Sequence, residues 1–351
     1  MVRLRGAAAA SVFVAVLMLA AACAGAGQRP ARTGPTLGGP LAGQLTIAGA
    51  RQAFSAFLPR FMRLRREYSA AAARSLTVGT ELATQLFSRG QSGLPVKPLT
   101  RLAFYVPRLA GYPRWFLAAG QQAGSNPAGR LFVMVQSAQS APWKASMALF
   151  DLRSAAGMLH QLASTVTTDA QGYAEVVPPD DPSLDAPPAA MSATYASYLD
   201  GTASPVVRRL FQAGPSTTGY LSFVRQLARG AGRYGWRDTD HQAPTRSPVY
   251  ALRLDTGGAI VIFATRDMVG WLARSSSARL RARPSARAAT YLPPTFVVQA
   301  LRINSVQPGM RLEVNAFDRV LAFVQPKGVG FIYPLINNGA ATGVRESNSP
   351  G

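Results

Sequence analysis

Twice along this chain, segments with apolar residues at helical spacing give way to a run of short segments rich in aromatic and branched residues. Helices first and strands after, repeated, predicts an α+β fold. Each of two successive units would be helices followed by a curved antiparallel sheet, as tandem cone-like halves. In the first unit Thr46 reads as an N-cap, and Ile47, Ala50, Phe54, Phe57, Phe61, Leu64 and Tyr68 recur on one helical face. Pro59 falls inside that pattern and predicts a kink or a split. A further helix is expected over 81–87. Strands are expected over 102–106, 114–119, 130–136 and 143–150, with turn-like clusters such as Gly111-Tyr112-Pro113 between them.

In the second unit Ser192 is expected to cap a helix holding Tyr195, Tyr198 and Leu199. Ser204-Pro205 opens another, with proline at a favoured first position. Ser216 or Thr217 starts a third, with Tyr220, Phe223, Val224 and Leu227 on one face. Strands are then expected over 249–254, 259–264, 295–303, 312–317 and 320–324, and 274–287 reads as a basic, Ser-rich exposed loop.

The N-terminus predicts export. Arg3 and Arg5 precede an apolar run from Ala7 to Ala22, which ends in small residues around Cys23. Charge, short apolar segment and small-residue exit are the parts of a secretory signal. The exit resembles a bacterial lipobox, with Ala20 where leucine is usual, so Cys23 is the expected point of attachment to membrane lipid. A secreted soluble protein is the alternative. Cys23 is the only cysteine of 351 residues, so no intramolecular disulfide can form and a core alone must hold the fold. The expected boundaries are a signal peptide over 1–22, a flexible tether over 23–44, the first unit over 45–177, a Pro-rich linker over 178–190, the second unit over 191–336 and a disordered tail over 337–351.

The formal net charge is +21. Without Arg3 and Arg5, 35 basic residues face 16 acidic ones, and all but Lys97, Lys144 and Lys327 of the base is arginine. Such a surface attracts polyanions, which for an exported chain are anionic lipid headgroups or acidic envelope polymers. The basic residues are scattered and no nucleic-acid module signature accompanies them, so nucleic acid is not an expected partner.

A search for chemistry returns mostly absences. His160 and His241 lie in no metal-ligand spacing. There is no Gly-x-Ser-x-Gly elbow, no Ser-x-x-Lys and no glycine loop for phosphates. No catalytic residues, metal site or cofactor are therefore expected. Asp180, Asp181 and Asp185 sit among prolines and read as a solvated connection. Asp238 and Asp240 beside His241 are the best remaining polar group. Arg114-Trp115 and Trp143-Lys144 stand at the starts of neighbouring strands. The bland expectation puts both tryptophans in the core and both cations in water. The functional one is a ligand pocket in the cone, with Arg114 or Lys144 at its mouth for an acidic amphiphile.

The order of elements resembles the SnoaL-like cone of the nuclear-transport-factor-two superfamily. A closer resemblance is to uncharacterised actinobacterial exported lipoproteins that share a domain of unknown function. It is carried by Phe104-Tyr105-Val106-Pro107-Arg108, Tyr112-Pro113-Arg114-Trp115-Phe116, Pro142-Trp143-Lys144, 169–173, Tyr250-Ala251-Leu252-Arg253 and Gly257-Gly258-Ala259. This resemblance implies an exported lipoprotein and no assigned activity. The expected function is non-enzymatic binding of a ligand or partner at the cell envelope. The alternatives are an envelope hydrolase or isomerase with an acid–His site, and a scaffold docking on an envelope protein.

Overall fold

The helical spacing after Thr46 does give a helix, α1 (Ile47–Arg66), and the Thr46 side chain caps it by accepting from the Gly49 N–H. The helix runs on through Pro59 rather than splitting there. After it come α2 (Ala70–Leu76), capped by Ser69, and α3 (Gly79–Ser88). The next elements form a four-stranded antiparallel meander: β1 (Leu99–Tyr105), β2 (Arg114–Gln122), β3 (Gly129–Gln136) and β4 (Lys144–Leu152), in sheet order β1-β2-β3-β4. The coordinates are a computed structural model that describes residues 44–88, 98–123, 129–152, 165–233, 235–275 and 308–348. The signal segment, Cys23, nearly all of the tether, the strand expected over 295–303 and most of the basic loop lie outside those residues.

The second half repeats the order. Its helices are α4 (Met191–Leu199), α5 (Pro205–Leu210) and α6 (Tyr220–Arg233), with a π-type turn over Pro215–Gly219 before the last. Ser204 caps α5 by accepting from the Val207 N–H. Ser192, expected as a cap, instead lies inside α4 and donates to the Ala264 carbonyl of the sheet. The strands are β5 (Trp236–Asp238), β6 (His241–Pro244), β7 (Tyr250–Arg253), β8 (Ala259–Ala273), β9 (Met310–Val324) and β10 (Ile332–Asn348). β8 pairs with β9 along one edge. Along its other edge it takes the three short strands β7, β6 and β5 in succession. The α+β class and the helix-then-antiparallel-strand order are therefore as expected.

Side-chain alternation explains the layering. In the first sheet Phe116, Ala118, Phe132 and Met134 face α1–α3, where Phe54, Phe57 and Phe61 pack on them. Leu117, Ala119, Leu131, Val133, Met147 and Leu149 face the other way. They share a core with Tyr250, Leu252, Ile260, Ile262 and Leu321 of the second sheet. The opposite face of the second sheet, through Ala251, Val261, Phe263, Val320 and Ala322, packs on Met191, Tyr195 and Tyr198 of α4 and on Phe211. The layers run helix, sheet, sheet, helix within residues 43–351, which form one compact unit. The run Ala259–Ala264 is apolar throughout because the second sheet is covered on both faces.

Two expectations fail here. The stretch 178–190 is not a passive linker. Leu184, Ala186 and Pro188 are buried, Asp181 is buried against the Arg253 guanidinium, and the Asp185 carboxylate accepts from the Gly328 and Gly330 N–H groups at 2.9 and 2.8 Å. Asp181 and Asp185 thus pin a connection to the sheet, while Asp180 stays exposed as expected. Over 337–348 the tail is not disordered: β10 pairs with β9 from Ile332 to Asn348, and 349–351 lie outside the described residues. A polar strand is stable there because the ladder satisfies its backbone along one whole edge.

Candidate functional site

A cavity of about 610 Å³ opens in the outer helical layer of the second half. The end of α4 and the segment leading through α5 build one side, with Tyr198, Leu199, Asp200, Gly201, Arg208 and Phe211. α6 contributes Tyr220, Leu221, Val224 and Arg225, and the turn between β5 and β6 brings Asp238, Asp240, His241 and Gln242. This turn is positioned by β8, because the Thr239 N–H donates to the Gly270 carbonyl and Asp240 Oδ1 accepts from the Gly270 N–H, both at 2.9 Å.

The polar side of the cavity is a network of acids. His241 Nδ1 lies 2.7 Å from Asp200 Oδ1, which also accepts from the Gln242 N–H at 3.0 Å. That carboxylate terminates α4, so the helix end aims it at the β5–β6 turn. Gln242 Nε2 donates to Tyr220 Oη at 3.0 Å, while Gln242 Oε1 is buried with no partner among the described residues. Beneath Gln242 lie two buried carboxyl groups, Asp267 of β8 and Asp318 of β9, and Tyr220 Oη is 3.4 Å from Asp267 Oδ2. Both occupy the helix-facing side of the second sheet, in register with the apolar Phe263 and Val320 that pack under α4.

So many acids in one place cannot all be charged. Burial pushes the Asp240 carboxyl up to about 8, helped by a hydrogen bond and the negative charge from Asp238; the Gly270 N–H pulls the other way. Burial also raises Asp267 well above the carboxylate range, with the charges of Asp318 and Asp240 acting in the same direction. At neutral pH Asp240 therefore carries a proton and can donate a hydrogen bond, while Asp238 beside it accepts. Among the described residues no three of His, Cys, Asp and Glu converge to hold a metal ion.

The four residues proposed from sequence around a cone mouth do not meet in one site. Trp115 faces the inter-sheet core, 5.2 Å from the Tyr250 ring, whereas Trp143 lies on the helical face, 4.9 Å from Phe116. Arg114 stacks over Tyr112 at 4.4 Å, and Lys144 Nζ donates to the Arg74 carbonyl at 2.8 Å. The crevice between Arg114, Trp115, Leu45, Pro107 and Leu109 has no room for a water molecule. The strand pleat separates these pairs, since neighbouring residues project to opposite faces. Asp238, Asp240 and His241 do come together, with each other and with Asp200. Sequence reasoning missed Asp200, Tyr220, Gln242, Asp267 and Asp318. A charged residue in the middle of a strand as apolar as β8 was the available signal for Asp267.

The family model "Domain of unknown function (DUF8094)" matches residues 86–295. The chain belongs to this family. The matched span contains every cavity residue named above, from Tyr198 to Gln242. Among curated proteins, an uncharacterized lipoprotein of Streptomyces coelicolor is 26% identical over 232 residues, 63% of this chain and 66% of that protein. An uncharacterized lipoprotein of Streptomyces avermitilis is 31% identical over 178 residues, 49% of this chain and 47% of its own length. The chain thus spans about two thirds and about half of these relatives. The DUF8094 match and the relatives' names agree with the lipoprotein resemblance read from the sequence. Among the described residues no helix is long and apolar enough to cross a membrane.

Proposed function

We propose that this chain is exported, is held at the cell envelope by a lipid on Cys23, and binds a small ligand in the cavity between α4, α6 and the β5–β6 turn, without transforming it. The relatives' description as lipoproteins supports the anchoring. One observation carries the binding: a cavity of ligand size with an apolar wall of Leu199, Phe211, Leu221 and Val224 facing the polar wall of Asp200, Asp238, Asp240, His241 and Gln242. Small-molecule sites pair apolar surface with a few placed polar groups, and this cavity is more polar than most of them. Two measurements test the reading. Mass spectrometry of the mature N-terminus should find acylated Cys23, and Cys23→Ala should release the protein from membranes. Native mass spectrometry of protein solubilised from its own membranes should find a bound small molecule that Val224→Trp, which fills the cavity, excludes. An empty cavity in both proteins would sink the binding reading.

One observation favours a second reading. The His241–Asp200 pair and a proton-bearing Asp240 in one cavity have the form of a base with its orienting carboxylate and an acid. An envelope hydrolase or isomerase would use His241 to take a proton and Asp240 to give one. Under that reading the bound molecule disappears on incubation with the wild type and persists with His241→Ala. Under the binding reading it persists with both.

A further inference from the structure

We infer that the outer face of the first helical layer, built by α1 and α2, is the face laid on the bilayer, with its arginines among anionic lipid headgroups. This rests on the anchoring half of the proposed function and is independent of the cavity.

The first observation is how charge divides along the chain. Over 24–150, 15 basic residues face two acidic ones; over 151–267 ten face 11, and over 268–351 ten face three. Charge so unevenly spread points to an anionic surface as partner. Of the two acids in the first span, Glu81 is fully buried against Arg319. Glu67, at the end of α1, is thus the one exposed acid of that layer among the described residues.

The second observation is where the bases stand. The buried side of α1 is Ala50, Phe54, Phe57, Phe61 and Leu64, packed on the first sheet. Arg51, Arg60, Arg63 and Arg66 take its exposed side, and Arg74 is exposed on α2. Among the described residues none of these five pairs with a carboxylate, whereas Arg108, Arg253, Arg311 and Arg319 each meet one. Arginines spread along about 30 Å of helix match a plane of headgroups, and the guanidinium fork binds phosphate oxygens in pairs.

The third observation is position. About twenty residues join Cys23 to Gln44, at most about 70 Å of chain, and α1 follows directly. A lipid on Cys23 therefore keeps this layer within reach of the headgroups, whose attraction acts over about one Debye length. The opposite helical layer also exposes arginines, from Arg208 to Arg237, but it lies beyond both sheets and shares its surface with the acids of the cavity. With α1 on the bilayer, the cavity opens on the far side.

A fluorophore on Ser55→Cys, in the exposed face of α1, or on Ser222→Cys, in the exposed face of α6, tests this. The acylated full chain is reconstituted in vesicles whose headgroups carry a quencher, of phosphatidylcholine alone or mixed with phosphatidylglycerol. Acylation blocks Cys23, so the introduced thiol alone is labelled. The label at Ser55 should be quenched in the anionic vesicles, less in the neutral ones and less in high salt, and the label at Ser222 should not. Arg60→Gln, Arg63→Gln and Arg66→Gln together should abolish the quenching at Ser55. Arg229→Gln, Arg233→Gln and Arg237→Gln, the same loss of charge on the opposite layer, should leave it. For the exported Cys23→Ala chain, the α1 triple should weaken binding to anionic vesicles by about tenfold or more, and thermal melts separate this from lost folding. Quenching at Ser222 instead of Ser55, or equal quenching in neutral vesicles, would overturn the inference. So would an unquenched Ser55 in a chain whose α1 triple loses affinity for a soluble phosphate polymer, because the face would then serve an envelope polymer. An acylated chain with Ser55 unquenched leaves the anchor standing and removes the face; an unacylated Cys23 with anionic vesicles still bound through α1 does the reverse.

Discussion

Asp240 is the residue on which the chemistry of the cavity turns, and its proton has a consequence for stability. Its carboxyl is held up to about 8 by burial, by its hydrogen bond with Asp238 and by the Asp238 charge, against an ordinary value of 3.8. A raised carboxyl means that between these two values the folded chain holds a proton that the unfolded chain has lost. Stability then falls as pH rises through that window and levels off above it. Asp267, raised in the same direction, adds to the trend. Thermal melts from mildly acidic to mildly alkaline buffer should show a melting temperature that declines with pH. Asp240→Asn should flatten the decline, and an equally steep decline in that variant would remove Asp240 as its source. Gly270 tests the same turn from behind. A Cβ there would overlap Thr239 Oγ1 and crowd the Thr239 carbonyl at 3.3 Å. Gly270→Ala should therefore push the turn carrying Asp240 off β8 and destabilise the protein by about 1–3 kcal/mol, measured by urea unfolding.

At the scale of elements, what could be read from sequence was what alternation and periodicity encode. Thr46 as a cap, the phenylalanine face of α1, Ser204-Pro205 at the start of α5 and the four strands of the first sheet all come from local signals. The misses have a common cause: a polar residue that looks like a boundary is satisfied by something distant in sequence. Asp318 and Arg319 separate two expected strands, 312–317 and 320–324, yet β9 passes straight through them. Arg319 is buried there because Glu81 of α3 meets it, and Asp318 because it joins the acids under Gln242. Asp181 and Asp185 read as solvent-facing for the same reason, their partners Arg253, Gly328 and Gly330 being about 70 to 145 residues away. The motif residues show the same thing in reverse. Arg108 closes on Asp169 at 2.6 Å and lies 4.0 Å over the Tyr173 ring, so two of the segments behind the family resemblance form one structural clasp. α6 offers a prediction at this scale. Gly230 sits within its helical span with nothing within 4 Å of an added Cβ. Gly230→Ala should raise stability by about 0.5–1 kcal/mol through helix propensity and lost freedom in the unfolded chain. A loss of stability in urea would mean that the helix does not hold its assigned conformation there.

The whole molecule is held by one ion pair as well as by its inter-sheet core. Glu81 is fully buried on α3, and its Oε2 lies 2.6 Å from Arg319 Nη1 of β9, 238 positions along the chain. The same carboxylate accepts from the Ala148 N–H of β4 at 3.1 Å and from Gln85 Nε2 at 2.7 Å. One side chain therefore joins the first helical layer, the first sheet and the second sheet, the three layers that the apolar core of Leu117, Leu131, Ile260 and Ile262 must keep in register. An apolar interface between sheets fixes distance better than it fixes sliding, because hydrophobic contact is non-directional. A charge-assisted pair with a backbone N–H as third partner has one geometry. Removing one partner leaves the other charge buried and uncompensated, at about 3–5 kcal/mol, whereas replacing both with apolar residues of similar volume is often close to neutral. Glu81→Leu and Arg319→Met alone should each lower the urea midpoint strongly. The double variant should recover part of the loss in stability, and the part it fails to recover should include the orphaned Ala148 N–H and the charge of Arg65, which faces both Glu81 and Arg319. If the double variant were as unstable as the sum of the singles, the pair would not be coupled, and the layers would owe their register to packing alone.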